Sequence, residues 1–292
     1  MVGGWRRHGK RAVIQRMNPL HLTAAILDWA GTVVDHGSRA PMGAFVRAFA
    51  QFGVTVSIAD ARGPMGMAKW DHIRAVGHAP AVATAWRERH GRDFAEGDVD
   101  AIFQVFEPMN IAAVRDHADI IPGAIAAIDT LRQRGMKIAG TTGYTRSIMD
   151  VLAPLAAAAG YKPELTVCAG DLPSGRPSPL MMWYAMAKLG VWPAACVVKV
   201  DDTAPGIGEG RAAGTWTIGI ALTGNAVGLS ADELAATSPA ARARLREQAA
   251  IELGDADMVI DSIADLPQAI AAIDLRLAAG ERPRSATASA PG

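Results

Sequence analysis

Four places in the sequence carry residue types that can act together on a phosphoryl group. Asp28 opens Asp28-Trp29-Ala30-Gly31-Thr32, directly after the apolar run 24–27. A carboxylate at a strand end, followed by a glycine turn, can present an oxygen nucleophile inside a cradle of backbone N–H groups. Thr141-Thr142-Gly143 follows the run 137–139 and offers hydroxyl and N–H donors for phosphate. Gly175-Arg176-Pro177-Ser178-Pro179 sets a cation just before a helix, and arginine grips phosphate oxygens in a fork. Asp201-Asp202 closes the run 197–200. Paired carboxylates there suit a hard divalent cation shared with the nucleophile. Each place also has a plainer reading when taken singly: Asp28 as a helix cap, Asp201-Asp202 as a strand-end cap, Arg176 as a solvated loop charge.

The elements that would position these residues follow from the apolar pattern. Short apolar runs at 24–27, 137–139, 165–167, 197–200, 217–220 and 258–260 alternate with helical stretches such as 124–134 and 179–189. Strands alternating with helices mean βαβ units and a parallel sheet, an α/β class. Ligands bind such sheets at the carboxyl ends of the strands, and Asp28, Thr141, Thr142, Asp201 and Asp202 all fall there. The interval 37–115 breaks the rhythm. Phe45, Phe49 and Phe52 recur at the i, i+4, i+7 spacing of a buried helix face, and 70–76, 81–89 and 99–114 also read as helical. The pattern predicts a helical cap domain at 37–115, inserted into a Rossmann-like core of 22–36 and 116–279. The phenylalanine stripe serves either the core of that cap or a dimer interface.

The chain has 292 residues, enough for two unequal domains. Its 29 basic and 29 acidic residues cancel, which argues against a nucleic-acid partner. No apolar run approaches the roughly 18 residues that span a bilayer, so no membrane partner is expected. Cys168 and Cys196 form no CxxC pair, which disfavours a disulfide framework or zinc site and makes a reducing cytoplasm the default setting. Segment 1–21 carries Arg6, Arg7, Lys10, Arg11 and Arg16 and no acid. It reads as a disordered extension or an over-long start with Met17 as the true beginning, an organellar transit peptide being the alternative. The tail 280–292 reads as disordered.

The ordered set Asp28, Thr141/Thr142, Arg176 and Asp202 resembles the four motifs of the haloacid dehalogenase superfamily. That resemblance implies a mobile cap, an aspartyl-phosphate on Asp28, and Mg²⁺. Phosphatases of the superfamily usually carry a second aspartate two positions after the nucleophile, where this chain has Ala30. Asp28-Trp29-Ala30-Gly31-Thr32 looks instead like the signature of the phosphonoacetaldehyde hydrolase family. Pro64-Met65-Gly66-Met67-Ala68-Lys69 with Asp71-His72, Thr141 to Arg146, and Gly175-Arg176-Pro177 are similar to that family too.

The resemblance implies a small-molecule phosphonate substrate whose aldehyde forms an imine with Lys69. The protonated imine accepts electrons from the breaking carbon–phosphorus bond, so no oxygen leaving group needs an acid at position 30. Met65, Lys69 and His72, spaced i, i+4, i+7, would share a helix face, with His72 taking or relaying a proton and Met65 positioning water or the lysine. Thr141, Thr142, Gly143, Tyr144 and Arg176 would bind substrate. Asp28, Asp202 and the Ala30 carbonyl would surround Mg²⁺. Gly43 would lie at the cap–core seam, and a homodimer would form through the cap. One departure stands out: Gly206 occupies the position where many members have a further acid, a place for water or Asp201 to fill. The rival functions are a phosphate-monoester phosphatase or phosphomutase of the same superfamily, and a phosphate-binding member without turnover.

Overall fold

The computed structural model describes residues 21–284; the expectations for the two ends of the chain, Met17 included, lie outside the described residues. Six strands form one sheet: β1 (Ala24–Leu27), β2 (Lys137–Thr145), β3 (Leu165–Ala169), β4 (Val197–Asp201), β5 (Trp216–Ile220) and β6 (Met258–Ile260). Their order is β3-β2-β1-β4-β5-β6 and every pairing is parallel. β1 and β4 are buried along their whole length, as strands covered on both faces must be. Alternate residues go to opposite faces. Ala25 and Leu27 join one apolar cluster with Ile138, Val198 and Val200, while Ala24 and Ile26 join another with Ala139, Val167 and Val197. The order reverses between β1 and β4, so the crevice of this sheet opens at the ends of those two strands.

Five helices fill the interval between β1 and β2: α1 (Ala40–Gln51), α2 (Ile58–Arg62), α3 (Lys69–Gly77), α4 (Pro80–His90) and α5 (Glu96–Asp116). They form a helical cap with an apolar cluster of its own, in which Phe45, Phe49, Ile73, Trp86 and Phe106 are fully buried. The phenylalanine stripe therefore belongs to the cap's interior: Phe45 stacks on Phe106, Phe49 lies against Phe94, and Phe52 packs near Trp86. The remaining helices, α6 (Ala124–Gln133), α7 (Arg146–Ala158), α8 (Leu180–Leu189), α9 (Ala204–Ala213), α10 (Ala231–Ala236), α11 (Pro239–Glu252) and α12 (Leu266–Ala278), belong to the sheet. Among the described residues no helix is long and apolar enough to cross a membrane.

Asp35 joins the two strands of chain that connect cap and sheet. Its carboxylate accepts the N–H groups of Arg39 and Ala40 at 2.9 Å each, capping α1 from outside, and lies 3.6 Å from His117 Nδ1 at the end of α5. The second strand runs longer than the apolar pattern predicted. β2 continues to Thr145 because its later residues still pair with β3, with an irregularity between Thr142 and Thr145.

Because the cap has its own core, it can be loosened separately. Phe49→Ala removes a fully buried ring and is expected to cost about 3–5 kcal/mol of stability. Hydrogen exchange should show the loss of protection concentrated in α1 to α5, with the strands of the sheet little changed.

Candidate active site

Asp28 leaves β1 at the crevice, its own N–H bonded to Val200 O on the neighbouring strand at 2.9 Å. The turn after it needs Gly31, which has a positive φ of 81° and whose missing side chain leaves room for the Asp202 carboxylate. Asp202 follows β4 and is held at both oxygens. Thr32 Oγ1 donates to Oδ1 at 3.3 Å, and the Asn225 N–H donates to Oδ2 at 2.7 Å. Oxygen atoms of Asp28, Asp201 and Asp202 lie within 4.8 Å of one another. Like charges this close, out of water, resist ionisation. Burial and the Asp201 charge push Asp28 up to about 6, against the pull of Arg176 and Lys199. Burial together with Asp28 and Asp201 pushes Asp202 well above the carboxylate range. A hard cation among these oxygens would remove that repulsion, and an all-carboxylate set is what such a cation prefers. The residues therefore fit a divalent metal.

Arg176 is buried beside them. Its Nη2 lies 2.7 Å from Asp28 Oδ1 and donates to Thr141 O at 2.6 Å. Its Nε donates to Glu209 Oε2 at 3.0 Å, and its Nη1 reaches Gly66 O in the cap at 3.4 Å. Although burial opposes its charge, Asp201, Asp28 and Glu209 keep the guanidinium firmly protonated.

Lys199 and Glu209 were not singled out in the sequence. Lys199 sits mid-strand in β4, with Nζ 2.6 Å from Thr141 Oγ1, 3.0 Å from Asp201 Oδ2 and 3.3 Å from Glu209 Oε2. A lysine inside the apolar run Val197-Val198-Lys199-Val200 was the available signal, since a buried cation must find partners.

Lys69 begins α3 and is buried. Its Nζ lies 3.9 Å from Met65 Sδ, 4.9 Å from the centre of the Tyr144 ring and 5.8 Å from that of Phe45. Burial is the largest influence and lowers its pKa to about 8; Asp28 pulls upward and Arg176 downward. Met65 precedes the helix, in a turn whose N–H bonds to Arg62 O, so the turn and not helical spacing brings it to Lys69. Asp28, Ala30, Met65, Lys69, Thr142, Gly143, Tyr144 and Arg176 line one cavity of about 20 Å³, room for about one water. Cap and sheet are thus closed over the nucleophile.

Three predicted residues lie elsewhere. Thr141 is behind the cavity: its hydroxyl oxygen accepts from Lys199 Nζ and from Arg176 Nη2 at 3.1 Å. Its proton goes to Glu209 Oε2 at 2.9 Å. That hydroxyl is spent within the buried cluster, and it is Thr142, on the opposite side of the strand, that lines the cavity. His72 is enclosed in the cap. Its Nε2–H donates to Ala61 O at 2.7 Å and its ring stacks on Phe45, and it does not line the cavity. Burial and the Lys69 charge keep it neutral. Gly43 lies on α1 against Arg47, lining a separate surface hollow.

The place of the acid missing at 206 is filled. A Cβ on Gly206 would fall inside the Asp201 carboxylate, which is fixed there by the N–H and hydroxyl of Thr203 at 3.0 and 2.7 Å. Burial opposes the charge of Asp201, but Arg176 and Lys199 hold its pKa below the usual value. The carboxylate in that volume comes from the end of β4 and not from α9.

The family model for haloacid dehalogenase-like hydrolases matches residues 22–214. A phosphonoacetaldehyde hydrolase of Paraburkholderia phytofirmans is 49% identical over 265 residues, covering 90% of this chain and 99% of that protein. One from Vibrio vulnificus is 47% identical over 271 residues, covering 91% of this chain and 100% of that protein. The crystal structure of a phosphonoacetaldehyde hydrolase-like protein from Oleispira antarctica superposes with a TM-score of 0.88 at 39% identity. It covers 94% of this chain and 100% of that one.

The exclusion between positions 201 and 206 can be measured. Gly206→Asp drives one carboxylate into another and is expected to destabilise the protein by about 1–3 kcal/mol from crowding alone. The paired change Asp201→Gly with Gly206→Asp returns one carboxylate to that volume and should recover most of the loss in denaturant melts. Recovery absent from the pair would mean that the two positions do not share a place.

Proposed function

The chain belongs to the haloacid dehalogenase-like hydrolases, and to the phosphonoacetaldehyde hydrolases among them; from that membership we propose that it hydrolyses phosphonoacetaldehyde to acetaldehyde and phosphate through a Lys69 imine and an aspartyl-phosphate on Asp28. The observation that carries this reading is the cavity in which the Lys69 amine, the Asp28 carboxylate and the Arg176 guanidinium meet, with Ala30 where a leaving-group acid would stand.

The closed cavity has no room for substrate, so the cap opens to admit it. Neutral Lys69 adds to the aldehyde, one proton is taken up from solvent, and water departs, leaving a protonated imine. Burial among Met65, Tyr144 and Phe45 supplies the neutral amine. His72, neutral and one turn along α3, supports this step as a second layer and not by touching substrate. The closure that restores this burial also brings the phosphonate to Arg176, Thr142 and the N–H near Gly143. Asp28 attacks phosphorus, the carbon–phosphorus bond breaks, and its electron pair flows into the imine to give an enamine. Asp28, Asp202 and the Ala30 carbonyl would hold Mg²⁺, which when bound would neutralise charge on the phosphoryl oxygens. Arg176 balances the same charge from the other side. Protonation of the enamine at carbon and hydrolysis of the resulting imine release acetaldehyde and restore Lys69. Water then hydrolyses the aspartyl-phosphate, releasing phosphate and restoring the Asp28 carboxylate. We further infer a homodimer formed through the cap.

The assay follows both products. With Mg²⁺ and phosphonoacetaldehyde, phosphate and acetaldehyde should appear in equal amounts, while phosphate monoesters turn over far more slowly. Fast ester hydrolysis without acetaldehyde would favour a phosphatase, and no turnover of either would favour a phosphate-binding role. Activity titrated against Mg²⁺ separates the adjacent aspartates. Asp202→Asn should shift the midpoint to higher Mg²⁺ by more than Asp201→Asn does, because Asp201 is engaged by Lys199, Arg176 and Thr203. The opposite ranking would exchange their roles.

A further inference from the structure

Glu209 and Lys199 lie beneath the cavity, both fully buried, and neither lines it. One oxygen, Glu209 Oε2, gathers three donors: Arg176 Nε at 3.0 Å, Thr141 Oγ1 at 2.9 Å and Lys199 Nζ at 3.3 Å. Lys199 Nζ donates to Thr141 Oγ1 and forms ion pairs with Glu209 and Asp201. The arrangement has a direction. A guanidinium is a rigid planar fork, so fixing Nε on Glu209 turns the opposite edge outward. That edge carries Nη2, 2.7 Å from Asp28 Oδ1, and Nη1, facing the cap at Gly66 O. Thr141 completes the frame, its carbonyl accepting from Nη2 at 2.6 Å. Lys199 in turn keeps Glu209 from swinging away, since the two are bonded to each other and both to Thr141.

We propose that Glu209 is the positioning residue for Arg176, and that Lys199 locks Glu209 in place through Thr141. Glu209 touches no substrate; it sets the plane in which Arg176 meets the phosphoryl group on Asp28. The inference rests on the proposed phosphonate chemistry for its rate readout, but not for its binding readout.

A merely structural ion pair would behave differently. Removing one partner of a buried pair leaves an unbalanced charge, whereas removing both restores neutrality. Glu209→Gln and Lys199→Met should each lower the melting temperature. The double variant should regain most of that loss, yet keep a kcat about tenfold or more below wild type, because the frame around Arg176 is gone. Glu209→Asp keeps the charge on a shorter arm, and should lose kcat to a similar degree with a melting temperature near wild type. Calorimetry with inorganic phosphate supplies the independent readout: affinity should fall about tenfold in the double variant. In an Arg176→Ala background the double change should alter that affinity by less than about twofold. Recovery of kcat and phosphate affinity along with melting temperature in the double variant, or full activity in Glu209→Asp, would overturn the proposal. Failure of the wild-type protein to cleave phosphonoacetaldehyde while these phosphate affinities follow the pattern would sink the proposed reaction and leave the role of Glu209 standing.

Discussion

A lysine amine is buried at the cap–sheet boundary against sulfur and aromatic rings, and the chemistry depends on that burial. Taking an ammonium out of water disfavours its charge. Asp28, close enough to pull the other way, limits the fall, so that the pKa comes to about 8 and not far lower. The amine is therefore neutral for a useful fraction of the time near neutrality, and still charged often enough to attract an anionic substrate. The condition exists only when cap and sheet are together. Lys69 and Met65 come from the cap; Asp28, Tyr144 and Arg176 come from the sheet. In the proposed reaction, closure makes the pocket and the reactive lysine at once.

The sheet side solves the opposite problem. Lys69 is left without a carboxylate partner at bonding distance among the described residues, whereas Arg176 and Lys199 are held by several. Two cations face the four carboxylates of Asp28, Asp201, Asp202 and Glu209, leaving a formal excess of two negative charges at the strand ends. That excess suits a divalent cation, and it adds to burial, the larger cause, in making Asp28 and Asp202 resist ionisation as they stand. Asp201 fills the volume beside Gly206, so a carboxylate of the strand end and not of α9 completes the acidic group.

Much of this was legible from the chain. Strand-end carboxylates, the glycine turn at Gly31 and the helical interval follow from apolar runs and their punctuation, because parallel strands must be apolar on both faces. What escaped follows from the same rules applied more finely. Successive residues of a strand face opposite ways, so Thr141 and Thr142 could not both point at one ligand. Lys199 hid in an otherwise apolar strand because its partners, Thr141 and Glu209, are distant in sequence. His72 shares a helix with Lys69, yet stacking on Phe45 and a bond to Ala61 O hold its ring inside the cap. Spacing gives the face of a helix but not where a ring on that face finds its partner.

The central claim is that burial makes Lys69 the imine-forming amine, and reductive trapping tests it most directly. Acetaldehyde and borohydride are added across a pH series, and the two-carbon adduct is located and quantified by mass spectrometry. The folded pKa lies below that of an exposed lysine, so the neutral fraction should rise through pH 8 and not through the ordinary value near 10.4. An adduct is expected on Lys69, half-maximal near pH 8 and absent from Lys69→Arg. Labelling spread over exposed lysines with a midpoint above pH 10, or an unmodified Lys69, would contradict it.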